Sequence, residues 1–252
     1  MVELSVCIEM FWRDLSMPER VRRVKSLGYK AFEFWGWQGK DLDGIRMAKD
    51  ETGLALAAMC MEPNWALVER GNDKAVLDGF AASTKLARSL GCTRLICVPG
   101  FVFADETWEA SRRRVVRKVK AMAKVAEDDG VTLLLEPLNP LVDHKGAWLT
   151  KMSEAADVVQ EVGSPNVRIL CDLYHQQTTE GNLLANFALY ASLVGHVHTA
   201  GVPGRHELVG GELDYRALFA AIKRSGYSGY IGLEFTAVKE GDAGLKEALT
   251  LL

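Results

Sequence analysis

Four apolar runs in this sequence each end in a side chain able to ligate a metal. Val131 to Leu135 leads into Glu136 and is stopped by Pro137. Arg168 to Cys171 leads into Asp172, Gly195 to Val197 into His198, and Tyr230 to Leu233 into Glu234. Each reads as a buried strand with a titratable group at its C-terminal end. Neighbouring parallel strands lie about 4.7–4.9 Å apart, so four successive strand ends can converge on one ion. Three carboxylates and an imidazole suit Mg²⁺ or Mn²⁺, and the imidazole moves the preference towards Mn²⁺ or Co²⁺. Without a cation the three carboxylates would repel and one would take up a proton. One such residue alone would read as a solvated rim group or a helix cap; four in register argue for a shared divalent ion.

Other candidates lie just beyond these ends. His175 follows Asp172 by three residues and is expected to face the same mouth as a substrate-binding or supporting group. The loop Gly201-Val202-Pro203-Gly204-Arg205-His206-Glu207 follows His198. It is shaped to present Arg205 and Glu207 above the site, and an arginine there could grip a carboxylate through two hydrogen bonds. Glu62 and Glu9 are further loop carboxylates, with Glu62 a candidate for substrate hydroxyls. Trp35, Trp37 and Trp65 could wall a small polar substrate from water, though core packing explains aromatics as well. Asn139 and Trp148, in the loop after Glu136, carry the same two readings.

The elements that must position these groups recur with one grammar. A short strand near Glu3–Ile8 is followed by Ser16-Met17-Pro18-Glu19, a capping box with proline in the first turn. Val21, Val24 and Leu27 then recur at helical spacing. Further helices are expected over Leu42–Thr52, Asp73–Leu90, Glu106–Asp129, from Thr150 to Gly163, Leu183–Ser192, from Asp214 to Gly226, and Ala243–Leu251. Strands stand between them, and six helix-to-strand turns carry glycine (Gly28, Gly53, Gly91, Gly130, Gly163, Gly226). Most strands are apolar on both faces, as parallel strands covered by helices must be. Eight strand–helix units without a linker-like break predict a single-domain α/β fold, a (β/α)8 TIM barrel over residues 1–252, with its chemistry at the C-terminal strand ends.

Bulk properties narrow the function classes. The chain has 252 residues, 48 % hydrophobic and 25 % charged, with formal charge −3. That charge gives no general attraction to nucleic acid or anionic membranes. The basic run Arg112-Arg113-Arg114, Arg117, Lys118, Lys120 and Lys124 alternates with apolar positions and reads as the solvated face of a helix. Five cysteines without zinc-type spacing predict reduced thiols and a cytoplasmic location. No apolar run reaches the roughly 18 residues of a membrane span.

Several of these stretches resemble the hydroxypyruvate isomerase family of the xylose-isomerase-like barrels. They are Leu133-Leu134-Leu135-Glu136-Pro137-Leu138-Asn139, Cys171-Asp172-Leu173-Tyr174-His175-Gln176-Gln177 with Glu180-Gly181, and Gly195-His196-Val197-His198-Thr199-Ala200. Pro203-Gly204-Arg205-His206-Glu207, Gly210-Gly211-Glu212-Leu213-Asp214-Tyr215 and Gly229-Tyr230-Ile231-Gly232-Leu233-Glu234-Phe235 complete the set. The resemblance covers essentially the whole chain. It implies a divalent metal, Asp172 as a ligand, and two catalytic glutamates at Glu136 and Glu234. Two positions depart: that family often has glutamine at the place of His198, where the related ketose 3-epimerases have histidine, and a lysine at the place of Thr236. Both bear on substrate choice and leave the metal site intact.

The activity so implied is isomerisation of a sugar or hydroxy-oxoacid by proton transfer between the two glutamates through a metal-bound enediolate. The sequence leaves open which glutamate is base in which direction. The alternatives are a ketose 3-epimerase with the same site, and a metal-dependent lyase or dehydratase on a polyol ring. An endonuclease-like barrel would need more histidines and a basic face. The expected partner is a small polar hydroxycarbonyl substrate, with no nucleic acid and no membrane; a homo-oligomer is allowed but no interface is readable.

Overall fold

The computed structural model describes residues 2–252. Its strands are β1 (Glu3–Cys7), β2 (Ala31–Phe34), β3 (Ala55–Cys60), β4 (Arg94–Cys97), β5 (Thr132–Leu135), β6 (Val167–Asp172), β7 (Val194–Thr199) and β8 (Tyr230–Leu233). They pair in parallel in chain order, and β8 closes on β1, so the predicted (β/α)8 barrel is the fold. The helices are α1 (Met17–Ser26), α2 (Leu42–Thr52), α3 (Asp73–Ser89), α4 (Trp108–Asp129), α5 (Met152–Val162), α6 (Leu173–Thr179), α7 (Leu183–Tyr190), α8 (Tyr215–Arg224) and α9 (Ala243–Ala248). No described helix is long and apolar enough to cross a membrane.

Local signals set most boundaries. Ser16 N–H donates to Glu19 Oε2 at 2.8 Å, which starts α1 and lets Val21 and Val24 face the core. Asp41 and Asp214 accept backbone N–H groups at the starts of α2 and α8. Gly53 and Gly130 end α2 and α4 in the left-handed conformation, which a Cβ would strain. Helix α5 starts at Met152, after Thr150 and Lys151 have both donated to Glu154 Oε2. Helix α4 begins two residues later than its sequence predicts, where Thr107 accepts from Ala110.

Helix α6 was not expected. Its residues, LYHQQTT, are indifferent helix formers and too few to show a period. It exists because Asp172 caps it: Oδ1 accepts N–H from Tyr174 at 2.8 Å and from His175 at 3.2 Å. The solvated face expected of α4 is also corrected at one residue. Lys118 is 3 % exposed, and its ammonium donates to the carbonyls of Ala66, Leu67 and Glu69 and to the Asn72 side chain. It ties α4 to the loop after β3. Arg112, Arg113, Arg114 and Arg117 pair with acidic neighbours at the surface.

Inside the barrel, side chains alternate with the period of two that strands impose. Ala58, Cys60, Ile96, Leu134 and Leu170, from β3 to β6, form one apolar cluster. The opposite side, from β7 round to β2, is polar: Ser5, Glu33 and His196 are all buried there. The next inward position, two residues further along each strand, is where the candidate ligands stand.

Candidate metal centre and active site

Glu136, Asp172, His198 and Glu234 bring one ligand atom each within 4.8 Å of one another, and all four are buried. The spacing follows from the strand period. Leu134 leads to Glu136, Leu170 to Asp172, His196 to His198 and Gly232 to Glu234, each one inward step higher. Asp172 divides its labour: Oδ1 caps α6, whereas Oδ2 is buried without a hydrogen-bond partner. His198 Nδ1 is likewise buried without one, 3.5 Å from Glu234 Oε2. Two buried polar atoms without partners among the described residues, beside two further carboxylates, are a poor arrangement without a ligand. They fit a divalent cation, and the oxygen-rich set with one imidazole fits a hard or borderline ion.

The two glutamates differ in their surroundings. Burial first, then the charge of Glu234, pushes the Glu136 carboxyl up to about 8 in the metal-free site. Burial also opposes charge on Glu234, but Arg205 and His198 outweigh it and hold this carboxyl well below the usual carboxylate range. Arg205 Nη2 donates to Glu234 Oε2 at 2.5 Å, and the Trp35 indole N–H donates to Oε1 at 2.6 Å.

A cavity of about 470 Å³ opens above the cluster. Glu136, His198 and Glu234 lie at its floor, and Trp35, Trp65, Val98 and Leu138 wall it. Glu62 lines the rim, with room made by Gly36, where a Cβ would lie 1.9 Å from Glu62 Oε1. His175 is buried, and its Nδ1 meets the Asn139 side-chain amide at 2.7 Å. The amide donates, so the ring proton sits on Nε2, 3.7 Å from Asp172 Oδ2. Burial lowers the His175 pKa to about 4, which keeps the ring neutral. Asn139 Nδ2 also donates to Asp143, and Asp143 accepts the Tyr174 hydroxyl. The loop after β5 therefore orients His175.

The other candidates separate. Arg205 enters the cavity from a left-handed backbone position with φ 58°. Glu207, expected beside it above the site, is placed elsewhere. It is buried, and Oε1 accepts the N–H groups of Val238 and Lys239, which pins the loop after β8. The physical reason lies in the tight loop: Gly201 N–H donates to the His206 carbonyl, and the next side chain packs against Gly244 of α9. Glu9 pairs with Lys40 at 2.8 Å. Trp37 bonds to Ser83, and Trp148 stacks on Trp108 and bonds to Ser111, so both support packing.

Sequence reasoning passed over Glu33, His196 and His144. His144 lines the cavity between Trp65 and His175. Glu33 and His196 form a second buried group with His198. A carboxylate in the middle of Ala31-Phe32-Glu33-Phe34, in an otherwise apolar strand, was the available signal.

Comparison with known proteins agrees with this fold. A family model described as xylose isomerase-like TIM barrel matches residues 21–252. The 2-oxo-tetronate isomerase of Cupriavidus necator is 30 % identical over 97 % of this chain and 96 % of its own. The hydroxypyruvate isomerase of Escherichia coli K12 is 28 % identical over 98 % of each. A Brucella melitensis structure named as an AP endonuclease of family 2 superposes with TM-score 0.93, at 26 % identity and 99 % coverage of both chains.

Proposed function

The chain belongs to the xylose isomerase-like TIM barrel family, and from that premise we propose that it isomerises small 2-oxo acids bearing a neighbouring hydroxyl, of the hydroxypyruvate or 2-oxo-tetronate kind. One observation carries this reading. Two buried glutamates meet at a four-ligand cluster, one pushed towards neutrality and the other held ionised by an arginine.

Glu136, Asp172, His198 and Glu234 would hold the divalent ion, Mn²⁺ or Mg²⁺, with Co²⁺ also compatible. Bound there, it would supply the Lewis acidity that polarises a carbonyl and acidifies the adjoining C–H. The remaining work falls to the chain's own groups. One glutamate takes the proton from the hydroxyl-bearing carbon, leaving an enediolate, the other returns a proton to the neighbouring carbon, and the hydroxyl proton ends on the former carbonyl oxygen. The two exchange these roles when the reaction runs backwards. His175 donates its Nε2 proton to a substrate oxygen, where it stabilises developing negative charge. Arg205 uses two of its five donor N–H bonds on Glu234, from Nε to the backbone carbonyl and from Nη2 to the carboxylate, and has three left for a substrate carboxylate. Trp35, Trp65 and Val98 keep bulk water from the intermediate. The cavity lies within the size range of small-molecule sites.

The test is isomer formation and solvent deuterium uptake with Mn²⁺ added, on hydroxypyruvate, 2-oxo-tetronate and a panel of ketoses. Exchange and isomer formation on the 2-oxo acids are expected, with both lost in Glu136→Gln and Glu234→Gln. Full activity in either variant, with the fold intact, would remove the scheme. Deuterium at C3 of a ketose with epimer formation, and none in the 2-oxo acids, would move the assignment to 3-epimerisation.

A further inference from the structure

Below the ligand cluster, the barrel interior holds a buried polar group that the proposed reaction does not use. Glu33 projects inward from β2 and is 1 % exposed. Its carboxylate meets three partners. Ser5 Oγ donates to Oε1 from β1, His196 Nε2 lies 3.1 Å from each oxygen, and His198 Nε2 lies 2.8 Å from Oε2. A carboxylate with no proton of its own only accepts, so the His198 proton at this contact sits on Nε2. That leaves Nδ1 as the atom facing Glu234 and the ligand cluster, where it lacks a partner.

The contact is built from both sides. Gly232 pairs with His198 across β7 and β8. A Cβ on Gly232 would stand 2.5 Å from His198 Cδ2 and 2.8 Å from Glu33 Oε1. Only glycine on β8 leaves room for the imidazole to lie between Glu33 and the cluster. The neutral ring has two tautomers, and only the one protonated on Nε2 offers a lone pair to an ion at Nδ1.

We infer that Glu33 is a positioning residue for the metal centre: it fixes the tautomer and ring orientation of His198 so that Nδ1 is the ligand atom. It touches neither substrate nor ion. The inference rests on the reading of the four-residue cluster as a divalent-ion site. A carboxylate behind a ligating histidine typically contributes 10- to 100-fold to metal affinity.

Two measurements on the full-length protein separate this inference from that reading. The first is Mn²⁺ affinity, followed by the signal of the free ion, for wild type, Glu33→Gln and Ser5→Ala. Glu33→Gln is expected to bind Mn²⁺ about 10- to 100-fold more weakly. Ser5→Ala, which removes a neighbour of Glu33 and leaves the His198 contact, should stay close to wild type. The second is the imidazole ¹⁵N spectrum of wild-type, metal-free protein followed as pH rises, where the last proton that His198 keeps should be on Nε2. This readout stands even if Glu33→Gln fails to fold, and it does not depend on Mn²⁺ binding. Unchanged affinity in folded Glu33→Gln, an equal loss in both variants, or His198 Nε2 without a proton would each overturn the role. A wild-type protein that binds no Mn²⁺ but shows the Nε2 proton would instead sink the metal reading and leave the Glu33–His198 hydrogen bond standing.

Discussion

Arg205 holds Glu234 at two points: Nη2 donates to its carboxylate at 2.5 Å and Nε to its backbone carbonyl at 3.3 Å. The two residues come from loops after different strands, so this contact joins β7 to β8 at the mouth of the site. It also keeps Glu234 charged next to a second buried glutamate. Arg205→Ala should lower kcat/KM for 2-oxo acids by about 10²–10³-fold, the scale of losing a group that stabilises charge in the transition state. Arg205→Lys should recover only part, because a lysine lacks the planar fork. Ketoses, which carry no carboxylate, should lose less in either variant; an equal loss for both substrate classes would remove Arg205 from carboxylate recognition.

The metal-free protein should lose stability as pH rises from 6.5 to 8. Glu136, pushed up to about 8 by burial and by Glu234, keeps a proton that the unfolded chain has already released. Burial disfavours charge on His198, but Glu33 and Glu234 outweigh it, and the folded protein retains that proton too above 6.5. Folding therefore takes up protons in this window, and stability falls by at most about 1.4 kcal/mol per pH unit for each proton retained. His175, lowered to about 4, works in the opposite sense, but only below about 6.5. Thermal unfolding in chelator should show the slope. Glu136→Gln should flatten it, and added Mn²⁺ should raise Tm most at the alkaline end.

Glu62 should matter in proportion to substrate length. It lines the same cavity as Arg205, and among the described residues none hydrogen-bonds to its side chain. A four-carbon 2-oxo acid has a second hydroxyl, on C4, to offer it; the single hydroxyl of hydroxypyruvate is on the reacting carbon. Glu62→Ala is expected to cost about 10- to 100-fold in kcat/KM for 2-oxo-tetronate, the worth of a hydrogen bond to a charged group. The three-carbon substrate should change little. Equal effects on both substrates would count against the contact.

Gly232→Ala should uncouple the metal centre from the fold. The added Cβ would meet the edge of the His198 ring at 2.5 Å, in an interior where neither strand can retreat. Weaker Mn²⁺ binding and a lower Tm are expected together, by calorimetry of the metal-free and Mn²⁺-loaded protein. A variant with unchanged affinity would show that the ring has freedom the packing denies.

Lys118→Ala should destabilise without touching catalysis. The ammonium satisfies three loop carbonyls, and its loss leaves them buried and underbonded. A cost of roughly 3 kcal/mol is expected, with Tm lower by on the order of 10 °C. Activity per folded molecule should hold at temperatures well below the transition. A Tm within a degree of wild type would make the contact dispensable.

The sequence alone determined the repeated unit and the heights of the four candidate ligands. Strand period and strand ends are local properties: an apolar run stopped by proline at Glu136, or by an aspartate that can cap a helix at Asp172, is visible without a neighbour. Gly53 and Gly130 likewise marked helix ends because a left-handed residue is a local demand. Glu207 and Lys118 were misplaced because the direction of a loop side chain, and the depth of a lysine on a helix, depend on what packs against them. Glu33 meeting His198 is the clearest case. The two lie on β2 and β7, 165 residues apart, and stand side by side only because β8 closes on β1. One strand sequence shows which residues face inward; only the closed barrel decides which of them share a proton.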